Sequence, residues 1–232
     1  MFDGRWNRPR HRDHRRGLLN YMRIISHRGY WLDPGERNTR VAFERSFSLG
    51  FGTETDIRDM GRDIVISHDS PSGGELLIGG LLELAAKYSP ALLLALNVKS
   101  DGLQGRTAAA LRQYALQEFF VFDMSVPDSL NWIRQGIPVF MRQSEYEPAP
   151  ALYSQAAGIW LDAFTSDWWT VETISRHLDA GKGVCIVSPE LHARDHRPAW
   201  ERLLQSDIRR HPDLILCTDL PEAARDFLND KD

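Results

Sequence analysis

Eight short runs rich in apolar, β-branched and aromatic residues recur along the chain, each followed by a longer amphipathic run, and this alternation restricts the fold more than any other feature. It is the pattern of βα units closing on a parallel sheet. The predicted strands span residues 23–26, 53–57, 91–98, 119–122, 137–140, 158–161, 183–187 and 214–217. Helices are predicted over 39–49, 81–88, 105–116, 127–134, 148–156, 168–180, 198–208 and 221–228. Gly50 and Gly181 follow helices where a left-handed residue is wanted, and Pro127, Pro198 and Pro221 stand where a first turn tolerates a missing N–H. A further short strand over 64–67 turns back on the second around Met60-Gly61, which predicts a small hairpin extension.

Eight strands with eight helices fit a compact (β/α)8 TIM barrel, with a doubly wound open sheet as the rival. The polar residues decide between them. His27, Asp56, Asn97, Lys99, Asp123, Asp162, Ser188 and Asp219 all fall at or just past the C-terminal ends of predicted strands, and a barrel gathers those ends around one mouth.

At 232 residues and 42% hydrophobic content the chain can bury one sizeable core, so residues 22–232 are predicted to form a single barrel domain. The first 21 residues carry six Arg and two Asp and are predicted to be a basic, disordered tail; Met22, directly before the first strand, is an alternative start. The formal charge is −4, and without the tail about −8, which disfavours a nucleic-acid partner. No apolar run in the tail is long enough for a signal or membrane-spanning segment, so a cytoplasmic location is expected. Cys185 and Cys217 sit in separate strand-like runs and are read as reduced core residues.

The chemistry concentrates between Ile24 and His68. Glu54 and Asp56 are two apart on a strand, so both carboxylates share one face, and two like charges so close need neutralising. A hard divalent cation with oxygen ligands, Mg²⁺ or Ca²⁺, would do this; pairing with Arg28 or Lys99 is the other solution. Asn97 and Lys99 repeat the alternate spacing on the third strand, where Asn97 could lend a carbonyl ligand and Lys99 a cation for a phosphate oxygen. His27 and His68, at the ends of the first strand and of the hairpin, could act as general base and general acid.

These residues resemble a known family. HRG at 27–29, the nearby Glu36, Asn38 and Thr39, ETD at 54–56 and HD at 68–69 look like the motifs of the glycerophosphodiester phosphodiesterases, whose barrel is shared with phosphatidylinositol-specific phospholipase C. LNVK at 96–99, FDMS at 122–125 and CTDLP at 217–221 extend the resemblance over residues 22–228. It implies that His27 and His68 are the acid/base pair, that Glu54 and Asp56 bind the divalent metal, and that Arg28 and Lys99 contact the phosphate. It also implies attack on phosphorus by a neighbouring substrate hydroxyl, with one imidazole protonating the leaving alcohol.

The chain departs from the family pattern in four places. Asn97 stands where a third acidic ligand is usual, so metal binding should be weaker unless Asp162 or Glu190 compensates. Arg37 is inserted in the Glu/Asn/Thr element, which reads ERNT. Only 22 residues separate His68 from the third predicted strand, so the segment that commonly covers the pocket is much reduced, and the open mouth would suit a bulky or polymer-attached substrate. The seventh strand ends SPELH, where Glu190 and His192 are placed on a loop surface, with facing the substrate as the alternative; Trp160 is a candidate for stacking on substrate, while Trp168 and Trp169 are placed at a helix start. The leading expectation is a metal-dependent phosphodiesterase acting on a glycerophosphodiester-type bond. The alternatives are a phospholipase- or sphingomyelinase D-like enzyme that stops at a cyclic phosphate, and a weakened barrel that only binds phosphorylated ligands.

Overall fold

The computed structural model describes residues 22–229, so the predicted tail over 1–21 lies outside the described residues. The strands are β1 (Arg23–His27), β2 (Gly52–Met60), β3 (Asp63–Ile66), β4 (Leu94–Val98), β5 (Phe119–Phe122), β6 (Val139–Gln143), β7 (Gly158–Leu161), β8 (Gly183–Val187) and β9 (Leu214–Thr218). The helices are α1 (Arg40–Ser48), α2 (Ile78–Tyr88), α3 (Gln104–Gln113), α4 (Val126–Arg134), α5 (Val171–Asp179), α6 (Arg197–Leu204) and α7 (Pro221–Asn229). Every strand but β3 pairs in parallel with its neighbours, and β1 pairs with both β2 and β9, so eight strands close into a (β/α)8 barrel. β3 runs antiparallel to the extended end of β2, from Ile57 opposite Ile66 to Met60 opposite Asp63, which is the predicted hairpin. Among the described residues no helix is long and apolar enough to cross a membrane.

Period-two alternation sorts each strand into an outer face under the helices and an inner face in the barrel. Inside lie Ile25, Ala95, Phe120, Phe122, Phe140, Trp160, Cys185, Ile215 and Cys217 as one buried cluster. Phe120 stacks on Phe140 and Phe122 on Trp160, each pair at 3.8 Å between ring centroids. These rings need space from β7: a Cβ on Gly158 would lie 2.4 Å from Phe140 Cζ, so only glycine fits there. Trp160, 5% exposed, is therefore barrel filling and not the substrate platform its position suggested. Cys185 and Cys217 are buried free thiols, as expected.

Two residues beyond the apolar layer, the inward positions turn polar. Ile25 gives way to His27, Ala95 to Asn97, Phe140 to Arg142, Trp160 to Asp162 and Cys217 to Asp219. The barrel thus has an apolar floor and a charged mouth at its C-terminal rim.

The predicted helix over 148–156 does not form; the segment is a run of turns. Pro150 disfavours the helical conformation at Ala149 before it, and Leu152 adopts a left-handed backbone at φ 50° that ends any helical run. α5 begins three residues later than predicted, because Thr170 caps it by accepting from Thr173 N–H, and Trp168 and Trp169 precede it. β6 lies two residues later than its predicted start, which carries Arg142 into the sheet.

Candidate active site

The mouth is built around the sharp exit of β1. After His27 the chain turns through two consecutive left-handed residues, Arg28 at φ 58° and Gly29 at φ 80°. Gly29 is required twice over, since a Cβ there would stand 2.7 Å from the Ala42 Cβ of α1. The turn is tied to β2 by Arg28 N–H donating to Glu54 O at 2.9 Å and Gly29 N–H to Thr53 Oγ1 at 2.9 Å. Arg28 is thereby swung over the carboxylates of β2.

Asp56 is fully buried and draws three groups to itself. Asn38 Nδ2 donates to its Oδ2 at 2.9 Å, Arg28 Nε is 3.1 Å from the same oxygen, and Lys99 Nζ is 3.4 Å from Oδ1. Pairing with Arg28 and Lys99, which the sequence left open beside a metal, is therefore present for Asp56. Glu54 differs. Its ion-pair neighbour is His27 Nε2 at 3.9 Å, and its Oε2 accepts only weakly from Arg28 N–H at 3.3 Å. Burial first, and the adjacent Asp56 second, push its carboxyl up to about 7.

His27 is oriented from behind. Its Nδ1 lies 2.8 Å from Asp219 Oδ1, and because an ionised carboxylate has only acceptors, that nitrogen carries the proton and leaves Nε2 available. His68 is arranged likewise, with Nδ1 2.9 Å from Asp69 Oδ1, but it is more exposed, at 44% of its side chain. It lines a groove of about 520 Å³ between the β1–α1 and β3–α2 loops, together with Arg28, Arg37, Asn38 and Arg40. His27, Arg28, Glu54, Asp56 and Lys99 thus form one connected network, whereas His68 pairs with Asp69 and shares with Arg28 only the lining of the groove.

Room for a cation can be tested on the oxygens. Asp56 and Asn97 are register partners across β2 and β4; Asp56 Oδ1 and Asn97 Oδ1 are both buried and accept no hydrogen bond, the former having only the Lys99 ammonium at 3.4 Å. Buried acceptors are rarely left so. Together with a Glu54 carboxyl raised by desolvation, these spare oxygens fit a hard, oxygen-liganded divalent ion. Among the described residues no group of three His, Cys, Asp or Glu side chains is placed to hold a metal; the residues that could hold one at the mouth are Glu54, Asp56 and Asn97. Asp162 and Glu190 are committed elsewhere: Asp162 Oδ1 is 2.7 Å from His192 Nε2, and Glu190 accepts from Thr218, Ser188 and, at 3.1 Å, Asp219 N–H. Glu190 and His192 lie, as expected, in the loop after β8, half-buried, with their side chains turned onto Asp219 N–H and Asp162.

Three further residues belong to the mouth. Asp219 was visible as a strand-end acid without its role. Asp123, left-handed at φ 72°, lies 3.6 Å from Lys99 Nζ and pairs with Arg142, whose other arm is 3.6 Å from Glu147. Arg142 was missed because β6 was placed two residues early; the signal available was an arginine directly after an apolar strand core.

No family model matches the chain, and no curated protein matches it by sequence. Among solved structures it is similar to a glycerophosphodiester phosphodiesterase from Agrobacterium tumefaciens, at 17% identity over 88% of this chain and 99% of that one, with a TM-score of 0.63. A phosphodiesterase from Oleispira antarctica in complex with its product sn-glycerol-3-phosphate matches at 16% identity over 90% and 97%, with a TM-score of 0.65. A Ca²⁺-dependent phosphatidylinositol-specific phospholipase C from Streptomyces antibioticus matches at 13% over 90% and 97%, with a TM-score of 0.60. These likenesses run over about nine-tenths of the chain, and the chain therefore has the barrel fold of the glycerophosphodiester phosphodiesterases and phosphatidylinositol-specific phospholipases C.

Proposed function

We propose that the chain is a divalent-metal-dependent phosphodiesterase cleaving a glycerophosphodiester-type bond. The observation that carries this reading is the network at the mouth: a histidine whose Nδ1 is fixed by Asp219, facing a buried acidic pair that is flanked by Arg28 and Lys99. Likeness to barrels whose names include phosphodiesterases supports it.

In this reading Arg28 and Lys99 bind the non-bridging oxygens of the phosphate, releasing part of their hold on Asp56. His27 Nε2 takes the proton of the attacking substrate hydroxyl and His68 gives one to the leaving alcohol oxygen, which forms a cyclic phosphate; water then opens the ring with the two histidines in reversed roles, leaving the monoester. Asp219 keeps the His27 ring in the tautomer that can accept, and stabilises the imidazolium that results. Held by Glu54, Asp56 and Asn97, Mg²⁺ or Ca²⁺ would offset the charge that grows on the phosphoryl oxygens.

Phosphorus NMR of the whole chain with glycerophosphoglycerol, in Mg²⁺ and then in Ca²⁺, tests this. A new phosphate monoester signal is expected. A cyclic phosphate that persists replaces the hydrolase with a phosphotransferase, and an unchanged spectrum with both ions overturns the reading.

A further inference from the structure

Arg37, the residue inserted into the Glu/Asn/Thr element, is exposed yet firmly placed. On one side Glu36 takes an ion pair from Arg45 at 2.7 Å and a hydrogen bond from Leu32 N–H at 2.9 Å, which together hold its carboxyl down at about 2. On the other side Asn38 is pinned by three bonds of 2.9 Å: its N–H to Arg28 O, its Nδ2 to Asp56, and its Oδ1 from Thr55. Between these anchors the Arg37 guanidinium lies over the Trp31 ring, 4.2 Å from the centroid. A stacked guanidinium keeps its donor fork free and oriented for a bidentate anion.

The groove that Arg37 lines already contains Arg28 and His68, so it opens directly from the candidate site. Its acids are spoken for. Asp69 is bound to His68, and Glu75 accepts from Ser72 and Gly73 N–H, both interactions lowering those carboxyl pKa values. Arg40 is paired with Glu44 at 2.9 Å. Arg37 makes no ion pair with a carboxylate among the described residues, and it is the cation of the groove left for a ligand.

Resting on the function proposed above, we infer that the groove is a second anion subsite and that Arg37 reads a further phosphate on the leaving alcohol, so that the substrate class is a phosphodiester carrying a second phosphate. The short segment after His68 leaves this groove open to a chain that continues beyond the scissile bond.

The test compares two substrates of the full chain: glycerophosphoglycerol, and the same diester bearing a terminal phosphate on its leaving glycerol. Wild type should favour the doubly phosphorylated compound in kcat/KM by about tenfold, less at high salt, and Arg37→Ala should erase that preference while leaving glycerophosphoglycerol turnover unchanged. Arg37→Lys should restore only part of it, because an ammonium lacks the fork. Equal turnover of the two compounds by wild type, or a parallel loss on both in Arg37→Ala, overturns the proposal. Calorimetry with glycerol 1,3-bisphosphate and glycerol 3-phosphate separates this from the catalytic reading, since Arg37→Ala should weaken only the bisphosphate even if no diester is turned over. Weakened sedimentation with phosphatidylglycerol vesicles, without any change in either ligand's affinity, would make Arg37 a membrane contact and contradict the subsite.

Discussion

The two sides of the barrel mouth use the same residue types to different ends. On the far side, from β5 to β9, each acid is matched: Asp162 by His192, Asp123 by Arg142 and Lys99, Glu190 by three donors. On the near side, formed by β1, β2 and β4, Asn97 Oδ1 has no donor, Asp56 Oδ1 has only the Lys99 ammonium at 3.4 Å and accepts no hydrogen bond, and Glu54 is buried beside another carboxylate. Satisfied polar networks fix a structure, whereas unsatisfied buried groups destabilise it and persist where a ligand completes them. This contrast supports the proposal that binding and chemistry belong to the near side, with the far side as its scaffold.

The largest expected contrast is between the two half-buried histidines of the mouth, each paired with an aspartate. His27→Ala should lower phosphodiester turnover by about a thousandfold, whereas His192→Ala should leave the rate near wild type, both judged by kcat alongside melting temperature. A comparable loss in both would break the distinction.

Asp56 joins Arg28, Lys99 and Asn38, so removing it leaves two cations without their shared partner. Asp56→Ala should cost about 3 kcal/mol or more of unfolding free energy in urea, besides abolishing turnover.

Glu54 should produce a pH effect of opposite character. Unfolded, its proton leaves near 4.5; folded, the carboxyl keeps it to about 7. The folded state binds more protons in that window, so stability falls as pH rises through it. In the metal-free protein, Glu54→Gln should flatten this slope and be more stable than wild type above pH 7 by about 3 kcal/mol, read from urea unfolding at pH 5 and pH 8. Saturating divalent metal should flatten the wild-type slope as well.

Much of this was legible in the sequence for identifiable reasons. Short β-rich apolar runs between amphipathic ones located all nine strands, and strand-end polar residues at His27, Asp56, Asn97, Lys99 and Asp219 selected a closed barrel over an open sheet. What was hidden depended on register or on the unfolding of a local pattern. A two-residue offset in β6 concealed Arg142, since sheet ends are set by pairing across strands and not by local propensity. The segment over 148–156 has helical composition, but Pro150 and a left-handed Leu152 hold it as turns. Trp160 was ambiguous because inward aromatic positions look alike from sequence whether they fill a floor or line a mouth. The partnership of His27 with Asp219 spans almost the whole chain and only closure of the barrel between β1 and β9 brings it about.

The most direct test of the near side as a metal-assisted phosphodiesterase site is the rate of glycerophosphoglycerol hydrolysis against free Mg²⁺ or Ca²⁺ for wild type and Asn97→Asp. The rate should vanish in chelator and saturate with metal, and Asn97→Asp should reach half-saturation at about tenfold lower metal by adding a charged ligand beside Asp56. A rate indifferent to chelator, with no shift in Asn97→Asp, would contradict the assignment.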